Sequence, residues 1–422
     1  MTPLAEALLE RLAPTGPAGR RAIDARAWLE GHGFPQRRDE AWRFSPLDEV
    51  MAVVGAANPA AAPAIGLDRS LVDDLAGDHG GRRIVFVNGV HAPDLSDGAP
   101  LPAGFYVGGL AAAPPRLVPP ATGDDPVDAF DALNRLADGD AALVAIPRGA
   151  RLDRPVHVVH LAVPGEGVTM CHPRTMVRAA DGSRMTVIET YAGLDGPSVT
   201  NASTTLEVGA GAGVTYQRMQ VEASDAIHLG RTAISQAARS DVRAVSVMTG
   251  GDIARLAVDV LLYGDEACLA LDGLYLPSGR QRHNHTVTVD HLASRCTSSQ
   301  RFKGIVDDHA CGSFGGHVIV RPGTVATDAS QSNHSLLLRR SAQADTRPWL
   351  EIYADEVRCT HGATVGRLDD DALFYLRSRG VPLAEARAML IAAFADDITA
   401  GIAPASLHER VVTATRACGV RP

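Results

Sequence analysis

Between residues 145 and 361 the chain breaks into short apolar runs cut every ten or so residues by Gly, Asp, Asn or Pro. Examples are "RMTVIETYAG", "TTLEVGAGAGVTYQRMQVEA", "DVRAVSVMTGG", "RLAVDVLLYGD", "TVTVDH", "HVIVRPG" and "SLLLRR". Each has the length and β-branched content of a strand, and the cuts are turn formers. No helical periodicity intervenes, so alternating βαβ units are excluded. A sandwich, a barrel and a stack of coils remain, and roughly 200 residues of unbroken short strands is long for one sandwich. The pattern predicts a mainly β protein with a parallel β-helix core at 146–362, in which every coil stacks on its neighbours. An N-terminal helical or mixed region (1–145) and a C-terminal helical domain (363–422) would flank it.

The flanks read differently. Leu4, Leu8, Leu9 and Leu12 recur at helical spacing near the start. "DEAWRFSPL" (Asp39–Leu47) follows as a polar–aromatic junction, with Trp42 the anchor of a helical cap. Residues 53–68 form an Ala/Pro-rich linker, and Ile84–Val87 reads as a strand before an Asn-Gly turn. Beyond 365, Asp369–Asp371 suits a helix start, Gly380 its end and Pro382 the first turn of a second helix. There Ala386, Met389, Leu390, Ala393, Phe394 and Ile398 fall on one apolar stripe. A third helix, Ser406–Cys418, aligns Leu407, Val411, Ala414 and Cys418. Such short helices need a partner surface, either the β core or another chain.

Composition removes several function classes. The net charge of -9 on 422 residues argues against a nucleic-acid surface, and no single-sign block suggests membrane binding. No apolar run reaches membrane-spanning length, and the charged amphipathic start lacks a signal-peptide pattern. The six cysteines (Cys171, Cys268, Cys296, Cys311, Cys359 and Cys418) include no CxxC pair. They read as reduced thiols of a cytoplasmic protein. Lys303 is the single lysine and lies in no Gly-rich phosphate loop. If ATP drives this protein's work, another chain hydrolyses it.

One short stretch carries the chemistry. In "WLEIYADEVRCTH", Leu350, Ile352 and Ala354 alternate in one phase, and Val357, Cys359 and His361 in the other. The phases cannot share a straight strand, which predicts a corner near Asp355–Glu356. Beyond it Cys359 and His361 share a face and could converge on iron, zinc or copper. Packing explains the same pattern, because cysteine is a common small buried residue. Two ligands also fall short of the usual four. Cys296 and Cys311 read as structural. His283, His285 and His291 are metal ligands by composition, or a polar ladder on the β-helix surface or in its turns. Lys303 reads as solvated or packed.

Several segments together resemble the SufB/SufD family of iron–sulfur cluster assembly proteins. They are Pro348–Ile398, His283–Val320, "QSNHSLLL" and the N-terminal "RRDEAWRFSPL". Where SufB proteins carry Cys-Glu-His-Glu-Ala, this chain has Cys359, Thr360, His361, Gly362 and Ala363, which resembles the SufD branch. The resemblance implies a right-handed parallel β-helix and a non-enzymatic scaffold subunit that works with SufB, through the β-helix cores, and with the ATPase SufC, through the C-terminal helices. Met389, Leu390, Ala393 and Phe394 would then dock SufC. His361, ahead of Cys359, would serve a transient cluster at the SufB interface. The resemblance leaves room for reduced flavin in the complex and for a homodimer of the isolated chain. A purely structural β-helix subunit is the alternative. A β-helical carbohydrate-active enzyme fits less well, given 5% aromatics.

Overall fold

The computed structural model describes residues 8–11, 19–60, 66–98, 101–118 and 126–419. Leu4 and Leu12 lie outside them. The core is a parallel β-solenoid built of two sheets, one of 11 strands and one of 10. Along one sheet Val199 pairs with Ile227, Ile227 with Ile253, Ile253 with Arg282, Arg282 with Cys311 and Cys311 with Gln343. Along the other Gly213 pairs with Asp241, Asp241 with Cys268, Cys268 with Thr297 and Thr297 with Asp328. Each coil therefore contributes one strand to each sheet. The stacking starts earlier than residue 146, because Arg82–Val87 already pairs in parallel with Val156–Leu161. It also runs on to Gly366.

The coil corner is a stack of left-handed residues. Gly182, Gly211, Arg239, Glu266, Arg295 and Ala326 all have φ between 55° and 67°. This conformation costs a side-chain-bearing residue roughly 1–2 kcal/mol. A backbone ladder offsets it: each N–H in the column donates to a carbonyl of the next coil, from Gly182 to Ala210 through Ala326 to Glu356, at 2.7–3.0 Å. The corner expected near Asp355–Glu356 belongs to this column, since one strand ends at Ile352 and the next begins at Val357.

Three apolar layers hold the architecture. Inside, Val187, Val214, Ala244, Leu271, Leu256, Val258 and Val287 pack sheet against sheet. Outside one sheet, N-terminal helices bury Leu29, Trp42, Val50 and Phe130 against Val199, Leu229 and Ile253. Trp42 lies 5.2 Å from Phe130 and under the Arg255 guanidinium at 4.6 Å, the anchor expected of it. Outside the other sheet, helices Leu383–Thr399 and Ala405–Ala417 bury Ile391, Ala395, Ile398, Leu407 and Val411 against Ile188, Val247, Leu274 and Ile305.

That third layer corrects the phase of the second C-terminal helix. Ala386 and Ile398 are buried, but their companions are Ile391 and Ala395. Met389 and Ala393 point to solvent, while Leu390 and Phe394 are half-buried. Lys303 is packed, as one reading held. Its ammonium donates to the Phe394 carbonyl at 2.7 Å, pairs with Asp397 at 2.6 Å and lies 4.8 Å over the Phe394 ring.

The two ends of the solenoid differ. At the N-terminal end, Val90–His91 and Tyr106–Gly109 close the sheets with antiparallel pairing. At the other end Gln343–Ile352 and Val357–Gly366 are the last strands of their sheets and are half-buried or exposed along their whole length. Such edges offer unpaired backbone groups to another chain.

Candidate functional site at the open end of the solenoid

Cys359 and His361 lie on the last strand, in register with Ala329 and Gln331. Side-chain alternation puts both on the inward face, at the mouth of the solenoid. Cys359 continues the row Val242, Leu269, Ser298, Ala329. His361 continues the row Ala244, Leu271, Gln300, Gln331. The His361 row turns from apolar to polar as it approaches the opening, whereas the Cys359 row stays small and mostly apolar.

The two side chains differ in environment. Cys359 packs against the cluster of Val318, Val320 and Ala329, as do Leu350, Ala354 and Val357. Burial, assisted by the nearby Asp328 carboxylate, pushes its thiol above the ordinary range although a backbone hydrogen bond at Ala329 opposes the shift. The unliganded thiol is therefore protonated near neutrality, and a metal would have to displace that proton. His361 is exposed. Among the described residues no cluster of three or more His, Cys, Asp or Glu side chains could hold a metal ion. The mouth offers two donors and open space.

The other sequence-flagged residues do not join this site. His283, His285 and His291 sit on the inward face of Arg282–His291, not on the surface or in turns. Burial lowers them to about 4, about 3 and about 4 respectively, so they are neutral. His285 rests between Tyr275 at 5.3 Å and Phe302 at 5.2 Å, and His291 meets the Ser298 hydroxyl at 2.9 Å. Glycines make room for these rings: a Cβ on Gly304 would lie 2.2 Å from Tyr275, and one on Gly273 2.2 Å from Phe302. Cys296 is fully buried. Cys311 is half-buried, with its thiol raised to about 11 by burial and then by Asp345.

Deeper inside lies a charged network that no motif announced. Arg218, Glu189, Glu222 and His228 are all buried. The Arg218 guanidinium, 4.7 Å over the Tyr191 ring, donates to His228 Nε2. A guanidinium cannot accept, so the His228 proton resides on Nδ1 and is donated to Glu222 at 2.7 Å. Glu189 accepts from Thr204 and Tyr216. Burial alone would raise Glu189, but His160, Thr175 and Tyr216 together hold it at about 2. The one signal was phase: Glu189 and Arg218 fall on the inward parity of "RMTVIETYAG" and "GVTYQRMQ".

Residues 161–394 match the model of the SUF system FeS cluster assembly SufBD core domain. SufD of Escherichia coli, described as an iron–sulfur cluster assembly protein, is 31% identical over 396 residues, 90% of this chain and 88% of that protein. A SufBD family iron–sulfur cluster assembly protein of Synechocystis is 32% identical over 394 residues, covering 90% and 86%. SufD of Bacillus subtilis is 27% identical over 268 residues, covering 62% and 60%. The family model and these relatives show that the chain, folded as a two-sheet solenoid, belongs to the SufBD family of iron–sulfur cluster assembly proteins, on its SufD-like side.

Proposed function

We propose that this chain is the non-ATPase subunit of an assembly complex, stacking its open end on a SufB-type solenoid so that a nascent iron–sulfur cluster is held at the junction. The observation that supports this most is the coincidence of two features. The uncovered end of the solenoid is also where Cys359 and His361 share the inward face. A pairing edge and half of a ligand set thus occupy one place, and a partner would supply the remaining ligands. His361 is the stronger candidate, being exposed and free to meet iron. Cys359 is a secondary ligand once its proton is displaced.

The C-terminal helices would carry a SufC-type ATPase. Met389 is 47% exposed, and Phe374, Tyr375 and Leu383 nearby are 73%, 57% and 48% exposed. Phe394 is already engaged by Lys303. Reduced flavin bound by the complex would supply the electrons. Without its partners the same open end would pair with a second copy. The cytoplasm suits this chemistry, since its thiols must stay reduced.

The test is co-purification with SufB and SufC homologues, then anaerobic reconstitution with the natural chain and with His361→Ala. The proposal expects a stable complex in both cases and loss of most cluster in the variant. Full cluster content in the variant would remove the ligand role. Failure to form a complex would remove the assembly role.

A further inference from the structure

The row ending at His361 contains an incomplete hydrogen-bond ladder. Gln300, Gln331 and His361 occupy equivalent inward positions on three successive strands. Gln331 Nε2 donates to Gln300 Oε1 at 3.0 Å, with both residues buried. Gln331 Oε1 is then left buried with no partner. The amide is confined where it lies: a Cβ on the facing Gly316 would sit 2.2 Å from Gln331 Nε2. Stacked strands lie about 4.8 Å apart, the spacing at which side-chain amides bond from rung to rung. His361 is the next rung. Among the described residues it makes no side-chain hydrogen bond, and a neutral imidazole carries one N–H donor and one acceptor nitrogen.

We infer that Gln331 is a positioning residue for His361: when the exposed imidazole turns onto it, the unpaired Oε1 accepts one ring N–H, selects that tautomer and leaves the other ring nitrogen unprotonated, its lone pair open at the mouth. Metal-ligating histidines are commonly oriented by such an acceptor on the second nitrogen. The importance of this arrangement rests on the ligand role proposed above for His361, but the arrangement is a property of the unliganded chain and is measured without iron. Gln331 would touch neither cluster nor partner and would act only through the imidazole.

The experiment is 15N NMR of the full chain with labelled histidine, well above the reference histidine pKa of about 6.5. The His361 signals are identified by their loss in His361→Asn. The natural chain should show one protonated-type and one unprotonated-type ring nitrogen for His361. Gln331→Leu and the unbranched Gln331→Met should both bring the two shifts towards their average, the signature of exchanging tautomers. Gln331→Glu keeps an acceptor and should restore the natural pattern. Averaged shifts in the natural chain, or a fixed tautomer in folded Gln331→Leu or Gln331→Met, would overturn the inference. A fixed tautomer lost in these variants, together with full cluster content in His361→Ala, would uphold the hydrogen bond while removing the ligand role.

Discussion

Acid should loosen this fold well above the carboxylate range, and His285→Phe should blunt the effect. His285 is fully buried between two aromatic rings, with both ring nitrogens unpartnered. Burial lowers it from 6.5 to about 3. Below 6.5 the unfolded chain takes up a proton that the native chain refuses, so stability falls with pH. The loss continues until the pH reaches the folded-state value of about 3. At about pH 4.5 this one residue has cost about 3 kcal/mol relative to pH 8, at 1.36 kcal/mol per unit. Phenylalanine preserves the aromatic contacts and removes the titration. Urea midpoints at both pH values should show His285→Phe gaining about 3 kcal/mol on the natural protein between them. A variant-to-natural difference that stays constant with pH would refute the claim of a neutral interior histidine. Glu189 does not confound the window. Its depressed value means that its contribution is present above 4.5 and is lost only as pH falls towards about 2.

Other substitutions test the packing. Gly304→Ala should cost about 1–3 kcal/mol by forcing Tyr275 out of place, measurable by chemical denaturation; a neutral result would mean that the ring is not confined. Lys303→Met removes the bond to the Phe394 carbonyl and the pair with Asp397, and should cost about 1–3 kcal/mol. Faster amide exchange confined to Leu383–Ala417 is the expected readout, and unchanged exchange would show that the lysine does not pin the helices. If the C-terminal helices dock a SufC-type ATPase as proposed, Met389→Glu should weaken that binding at least tenfold in a pull-down titration without moving the thermal midpoint. Undiminished binding would place the docking surface elsewhere.

The parallel solenoid was readable because turn formers every ten or so residues, though at an irregular period, leave no room for helices and the strands are too many for one sandwich. The corner at Asp355–Glu356 was readable from a change in alternation. The helix starting at Asp370 was equally plain, with the Asp369 carboxylate capping the N–H groups of Asp371 and Ala372. The second C-terminal helix was not. Its apolar residues run almost all round, from Leu383 to Ile398, so periodicity alone cannot choose between Ile391 with Ala395 and Met389 with Ala393. The histidines of "HNHTVTVDH" were misplaced for a different reason. Polar residues on an alternating strand are read as outward, whereas this interior admits imidazoles because neighbouring glycines leave space for the aromatic rings around them. Likewise the pairing of Arg218 with His228 depends on strands joined only through the coil. The orphaned Gln331 oxygen needs the register that places it beside Gln300 and His361.

The central claim is that His361 meets the nascent cluster. Its most direct measurement is pulsed EPR on the reduced cluster of the reconstituted complex, with only this chain labelled by 15N-histidine. The account predicts a 15N coupling to the cluster that disappears in His361→Ala. A cluster formed in full with no such coupling, or with one that survives the substitution, would contradict it.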